Sequence, residues 1–330
     1  MLKVVGIGQS HYADYVNSVS SPDIEIEQIT KNVYTFTGIR GCDPSMVMTS
    51  EGAVFIDTAQ WITQLEQMIE FAKEKCGGVK YLINTESHID HVFGNPYLKK
   101  AGATIIAHER VLDGYYKIPP AFNQTTCEYN LSLLKRQDPT QTEKLLPEGE
   151  EAIGKPDITF SERMTLKVGD HTFEIFHTPG HSPEQTSIYC PEERVVFVGD
   201  NIFNDCQIWF HSIDFDALFK SLDFLQGLDV DYIIPGHGPV RGKECIAQNK
   251  QFIYEWLSTV GDAINKGWTR EECIAKINFA DRCPVDIGQP ECMEYISTNN
   301  ARVAYDYIMR KGTLEGGAAW FLTLPSSARA

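Results

Sequence analysis

Apolar and polar positions alternate through much of the chain, and the alternation gives way to helical spacing at a few sharply bounded places. Segments near 24–29, 32–37, 45–49 and 53–57 carry β-branched and aromatic residues, separated by Lys31-Asn32, residues 38–44 and Glu51-Gly52. They read as an antiparallel meander. Residues 59–75 set Trp61, Leu65, Met68, Ile69, Phe71 and Ala72 at helical spacing, and Gly77-Gly78 stops that helix. A strand at 79–84, a short helix over 94–100 and a buried strand over 103–107 follow. Strands resume at 158–160, 164–168, 172–177, 186–190 and 194–198. Helical spacing returns over 215–227, and a strand follows at 231–234. Residues 244–312 read as mostly helical, with Phe252, Trp256 and Val260 on one face and Val303, Tyr307 and Ile308 on another.

Two stretches break the pattern. Residues 1–23 are polar and serine-rich, an N-terminal arm. Residues 109–157 hold Tyr115-Tyr116, Pro119-Pro120 and a Gln/Glu-rich run, the composition of helices and loops rather than sheet. So long an excursion between strands is the habit of a lid or a substrate-shaping insertion. The expected organisation is an arm over 1–23, a catalytic domain over 24–243 carrying the insertion, and a helical extension over 244–330 packed on the core.

Composition narrows the function. The 330 residues are 42% hydrophobic, enough for a large core. A formal charge of −16 argues against nucleic acid, since phosphate binding needs a surplus of Lys and Arg. No stretch approaches the roughly 18 apolar residues of a membrane helix. The first residues lead to no apolar run with a small-residue cleavage site. Nine cysteines, odd in number and never spaced Cys-x-x-Cys, suit a reducing compartment. A cytoplasmic protein acting on a small molecule, without nucleic-acid or membrane partners, is the expectation. The C-terminal helices would allow a homo-oligomer, although no heptad pattern forces one.

The chemistry is concentrated at strand ends. Glu86-Ser87-His88-Ile89-Asp90-His91 follows the apolar run Tyr81-Leu82-Ile83-Asn84 and brings four side chains able to bind a metal within six positions. Imidazole with carboxylate suits zinc, iron or manganese. Thr178-Pro179-Gly180-His181 follows another strand, Val198-Gly199-Asp200-Asn201 a third, and Pro235-Gly236-His237-Gly238 a fourth. Glycines beside these residues permit close backbone approach to an ion. His108 and His177, also near strand ends, match no ligand role and are expected to be hydrogen-bonded. Cys206 is expected to be a buried small hydrophobe.

These motifs, in this order and spacing, resemble the metallo-β-lactamase superfamily over roughly residues 24–243. The resemblance implies an α/β fold, a four-layer αββα sandwich with a dinuclear metal site along one edge. It implies one ion on Glu86, His88 and His181, a second on Asp90, His91 and His237, and Asp200 bridging the two. Asp57 matches the family's early aspartate, which supports ligands without binding metal. The implied activity is a hydrolase that uses a metal-bound hydroxide on an ester, lactone, thioester or related bond, with Asp90 also moving a proton. Trp61, Phe93, Tyr115, Tyr116, Trp209 and His211 are candidates for contact with the substrate.

Glu86 stands where the family usually has histidine. Two divalent ions bring four positive charges and three carboxylates remove three, leaving one; a histidine would leave two. A less positive site acidifies water less, and oxygen for nitrogen moves preference towards harder ions, so manganese and iron join zinc as candidates. Asp200 occupies the position where β-lactam hydrolases of the family carry cysteine or serine, and so resembles glyoxalase II and lactonase-type members. An iron-dependent redox enzyme, similar to persulfide dioxygenases on this fold, is the alternative. A non-catalytic sensing or binding protein fits least.

Overall fold

The computed structural model describes residues 3–7, 24–39, 41–112, 154–281 and 293–315. Tyr115, Tyr116 and nearly all of the 109–157 insertion lie outside the described residues.

Two sheets carry the fold. The first has eight strands in the order β1(Lys3–Gly6), β2(Glu25–Gln28), β3(Val33–Thr37), β4(Ser45–Thr49), β5(Gly52–Ile56), β6(Val79–Ile83), β7(Thr104–His108) and β8(Ile158–Phe160). The meander expected from residue 24 onward is antiparallel from β2 to β5. From β5 to β8 every pairing is parallel, because helices and longer connections cross between strands. Within the expected N-terminal arm, β1 adds a parallel edge strand beside β2. A strand of four residues is too short to show a period.

The second sheet runs β13(Tyr232–His237), β12(Val195–Phe203), β11(Thr186–Cys190), β10(His171–His177) and β9(Arg163–Val168). Period-2 alternation sorts each strand's side chains between two cores. Val54, Ile56, Ile83 and Ile106 of the first sheet meet Phe173, Ile175, Phe197 and Ile234 of the second in one apolar layer. The opposite face of the first sheet, with Ala53 and Phe55, packs on Leu65, Met68, Phe71 and Ala72 of α1(Ile62–Cys76) and on Leu98. The opposite face of the second, with Val196, Val198 and Ile233, is covered by the remaining large helices. Helix, sheet, sheet, helix is the resulting order of layers.

α1 begins at Ile62 rather than 59 because Trp61 is extended at the N-cap, and Gly77 ends it in a left-handed cap. α2(Ile89–Val92) and α3(Asn95–Lys100) follow β6. α4(Phe215–Gln226) is capped by Asp214, whose side chain accepts from Ala217 N–H. Among the described residues, the C-terminal extension holds α5(Glu244–Asn265), α6(Arg270–Lys276) and α7(Met293–Glu315). α5 and α7 place Trp256, Val260, Ala304 and Ile308 in the core beside the second sheet. Among the described residues no helix is long and apolar enough to cross a membrane.

Candidate metal centre

The parallel strands β5, β6, β12 and β13 deliver their ends to one edge of the sandwich, and the polar residues of the motifs meet there. Glu86, Asp90, His91, His181, Asp200 and His237 are all buried, and His88 is partly open. His91 Nε2 stands 3.3 Å from Glu86 Oε1 and 3.2 Å from Asp200 Oδ1. His237 Nε2 lies 3.3 Å from Asp90 Oδ2 and 3.5 Å from Asp200 Oδ2. His181 Nε2 is 3.5 Å from Asp200 Oδ2 and 3.3 Å from His88 Nδ1, which in turn is 2.5 Å from Glu86 Oε2.

Apart from the His181–His88 contact, which is a hydrogen bond, proximity here leaves donor atoms unsatisfied. Both oxygens of Glu86, His91 Nε2, Asp200 Oδ1 and His237 Nε2 are buried without a hydrogen-bond partner. Orphaned polar atoms of this kind normally cost about 1–3 kcal/mol each, so a cluster of them calls for a shared partner. Among the described residues the metal-capable atoms form three compact groups: Glu86, His88, His181 and Asp200; Asp90, His91 and His237; and, behind them, Cys42, Asp57 and His91. Nitrogen and oxygen donors at this spacing fit divalent cations.

The electrostatics agree. Burial, reinforced by Asp200 and opposed by His88, raises the Glu86 carboxyl to about 7. Burial alone would lower His237, but Asp200 and Asp90 raise it to about 10. Asp90 goes the other way: burial opposes, yet His91 and His237 lower it to about 2. Three buried carboxylates thus demand positive charge at this edge, from protons or from metal.

Neighbouring residues hold the cluster in place. Asp57 Oδ2 accepts from His91 Nδ1 at 2.9 Å, and the same carboxylate accepts from Thr85 N–H at 2.8 Å and Thr85 Oγ1 at 2.6 Å. Asp57 does so with φ 58, in the left-handed region that non-glycine residues seldom adopt. Asn201 accepts from His181 N–H at 3.1 Å and donates to Thr178 O at 2.7 Å, fixing the turn that presents His181. Gly199 and Gly236 make room: a Cβ on Gly236 would overlap Asp200 Oδ1, and Gly199 sits at φ +50 against Thr85 and Gln185. Phe203 stacks on His237 with ring centroids 5.1 Å apart.

The expected pocket residues divide. His211 borders the cluster, its ring 5.3 Å from that of His88, and Trp209 lies 5.1 Å from His211. Phe93 is half-buried just after α2. Trp61 is 2% exposed and offers almost no surface to a ligand, because it caps α1 from within. His108 and His177 bond to the carbonyls of Ser161 and Pro183 and stack on each other at 4.0 Å. Cys206 is buried in the core beneath α4 and α5. Sequence reading missed Glu184 and Ser87: the Ser87 hydroxyl donates to the buried Glu184 carboxylate, tying the two ligand loops together. A Ser within the hexapeptide was the only trace of this.

Comparisons with known proteins agree with the fold. The sequence model of the metallo-beta-lactamase superfamily matches residues 40–237, and the chain belongs to that superfamily. It is 23% identical over 254 residues to a metallo-beta-lactamase type 2 of Bacteroides fragilis, covering 72% of this chain and 89% of that protein. It is 26% identical over 193 residues to a hydroxyacylglutathione hydrolase of Pelagibacter ubique, covering 57% of this chain and 64% of that protein. A metallo-beta-lactamase family protein from Thermus thermophilus superposes with a TM-score of 0.59 at 16% identity, over 86% of this chain and 95% of that one. The superfamily consists mostly of hydrolases and typically binds divalent metals, usually zinc.

Proposed function

We propose that this protein is a metal-dependent hydrolase of an ester, lactone or thioester in a small organic molecule. The convergence of donor atoms from seven side chains, with those of Glu86, His91, Asp200 and His237 buried and orphaned, carries the reading. Glu86, His88 and His181 would hold one ion, Asp90, His91 and His237 a second, with Asp200 between them. Zinc is the first candidate; manganese and iron follow because Glu86 supplies oxygen where nitrogen is usual. Bound ions of this kind acidify water and polarise a carbonyl.

The chain's own groups do the rest. Asp90, held ionised by His91 and His237, can accept a proton from the attacking water at its carboxylate and return it to the leaving group. Asp57 fixes the His91 tautomer by accepting from Nδ1–H, which leaves Nε2 free to ligate. Asp200, where a β-lactamase would carry a smaller side chain, together with the similarity to a hydroxyacylglutathione hydrolase, favours acyl esters and thioesters over β-lactams.

Elemental analysis of the purified protein, with a panel of ester, lactone and thioester substrates before and after chelation, tests this. Two equivalents of divalent metal, with turnover lost on chelation and restored by adding metal back, are expected. A single iron with oxygen uptake and no hydrolysis would replace the reading with a redox one.

A further inference from the structure

Beyond the cluster, the last helix reaches in to shape what borders it. Asn300 on α7 is fully buried, and its side-chain amide donates to Ile208 O at 2.6 Å and accepts from Phe210 N–H at 2.8 Å. These bonds bracket Trp209 on both sides. Phe210 packs against Phe215 and Trp256, with centroids 5.0 and 5.9 Å away, which braces the segment. A buried amide satisfied twice by backbone is a rigid clamp. α7 lies outside residues 40–237, the part that the superfamily's sequence model matches.

The clamp sets up a row of rings. Tyr295 meets Trp209 edge-on at 6.1 Å, Trp209 meets His211 at 5.1 Å, and His211 meets His88 at 5.3 Å, with interplanar angles of 86°, 71° and 87°. Tyr295 is 51% exposed, His211 is exposed, and Trp209 and His88 are partly open. The row therefore runs from solvent to the donor atoms. Open aromatic surface that leads into a cluster of charged groups marks a binding face rather than ordinary surface. Flat rings are the groups that pack on such a row, by stacking or edge to face.

We infer that Tyr295, Trp209 and His211 form the substrate-side wall of the site, and that the wall receives a planar aromatic group on the substrate. Asn300 is a positioning residue that holds Trp209 in line. The assignment of this group to a substrate rests on the hydrolase reading; the binding of an aromatic ring does not.

Equilibrium dialysis of the full chain, with its metal, against 2-naphthoate and against acetate tests the wall directly. Saturable naphthoate binding is expected, weakened at least tenfold in Trp209→Ala and in Tyr295→Ala, with acetate much weaker throughout. Tyr295 is exposed enough that its loss leaves the fold intact. Phe224→Ala, which removes an exposed ring elsewhere, should leave naphthoate binding as it is. In parallel, the preference for ethyl 2-naphthoate over ethyl acetate should fall in Tyr295→Ala through a rise in KM. Naphthoate that does not bind, or that binds both variants as tightly as the parent, overturns the wall whatever the activity. Naphthoate binding lost in both variants, with no ester, lactone or thioester cleaved by the parent, upholds the wall and overturns the hydrolase reading.

Discussion

Asp57 holds His91 through Nδ1 at 2.9 Å while His91 Nε2 faces Glu86 and Asp200. One carboxylate thereby fixes the ring's tautomer, its rotation and, through Thr85, the backbone just ahead of Glu86. Asp57→Asn tolerates the same left-handed backbone but accepts less strongly. Metal affinity should fall about 10–100-fold, the usual effect of losing such a support. Competition with a chromogenic chelator measures it; an affinity equal to the parent's would remove Asp57 from the supporting role.

Glu86 controls the charge of the cluster. Glu86→His should raise zinc retention and shift metal content away from manganese and iron. Dialysis against mixed metals followed by elemental analysis reads this, and identical metal ratios in the two proteins would count against Glu86 as a ligand.

Gly236 has no room for a side chain, because Asp200 Oδ1 occupies the place of its Cβ. Gly236→Ala should displace Asp200 or bend β13, costing about 1–3 kcal/mol of stability as overpacking does. The expected pattern is a lower Tm together with loss of metal. A variant that keeps both Tm and metal would show that the turn yields easily.

Far from the cluster, His171 is buried between Asp170 and Glu193, each 2.9 Å from a ring nitrogen. Burial lowers its pKa, but Glu193 and Asp170 outweigh it, and the imidazole titrates above its ordinary value. A raised histidine stabilises the fold fully below about pH 6.5 and loses that contribution as pH climbs through the folded value. Asp170, lowered to about 2, and Glu193, also lowered, work in the opposite sense and lose theirs only in acid. Tm should therefore decline as pH rises above about 6.5, and His171→Gln should flatten that slope. An unchanged slope would assign the decline to other groups.

Strand positions were legible because period-2 alternation is enforced by two cores on either side of each strand, as Ala53 and Phe55 against Val54 and Ile56 show. The gathering of His181, Asp200 and His237 was legible through their strand-end glycines, and that of His88 through the density of ligand types in its hexapeptide. β12 was harder: it runs on to Phe203, past the register shifts around Gly199, so Asp200 sits within a strand rather than after one. Trp61 misled, since an aromatic at a helix start reads alike whether it faces solvent or core. The Asn300 clamp could not be foreseen, because its partners lie about ninety residues away and are backbone atoms that carry no sequence signature.

That clamp divides responsibility within the molecule. The charged cluster is assembled at strand ends within the residues that the superfamily's sequence model matches, while the segment beside it is braced by a helix outside that match. Changes on α7 can retune which molecules are admitted without disturbing a single donor atom, so selectivity and reactivity are free to evolve at different rates in this chain.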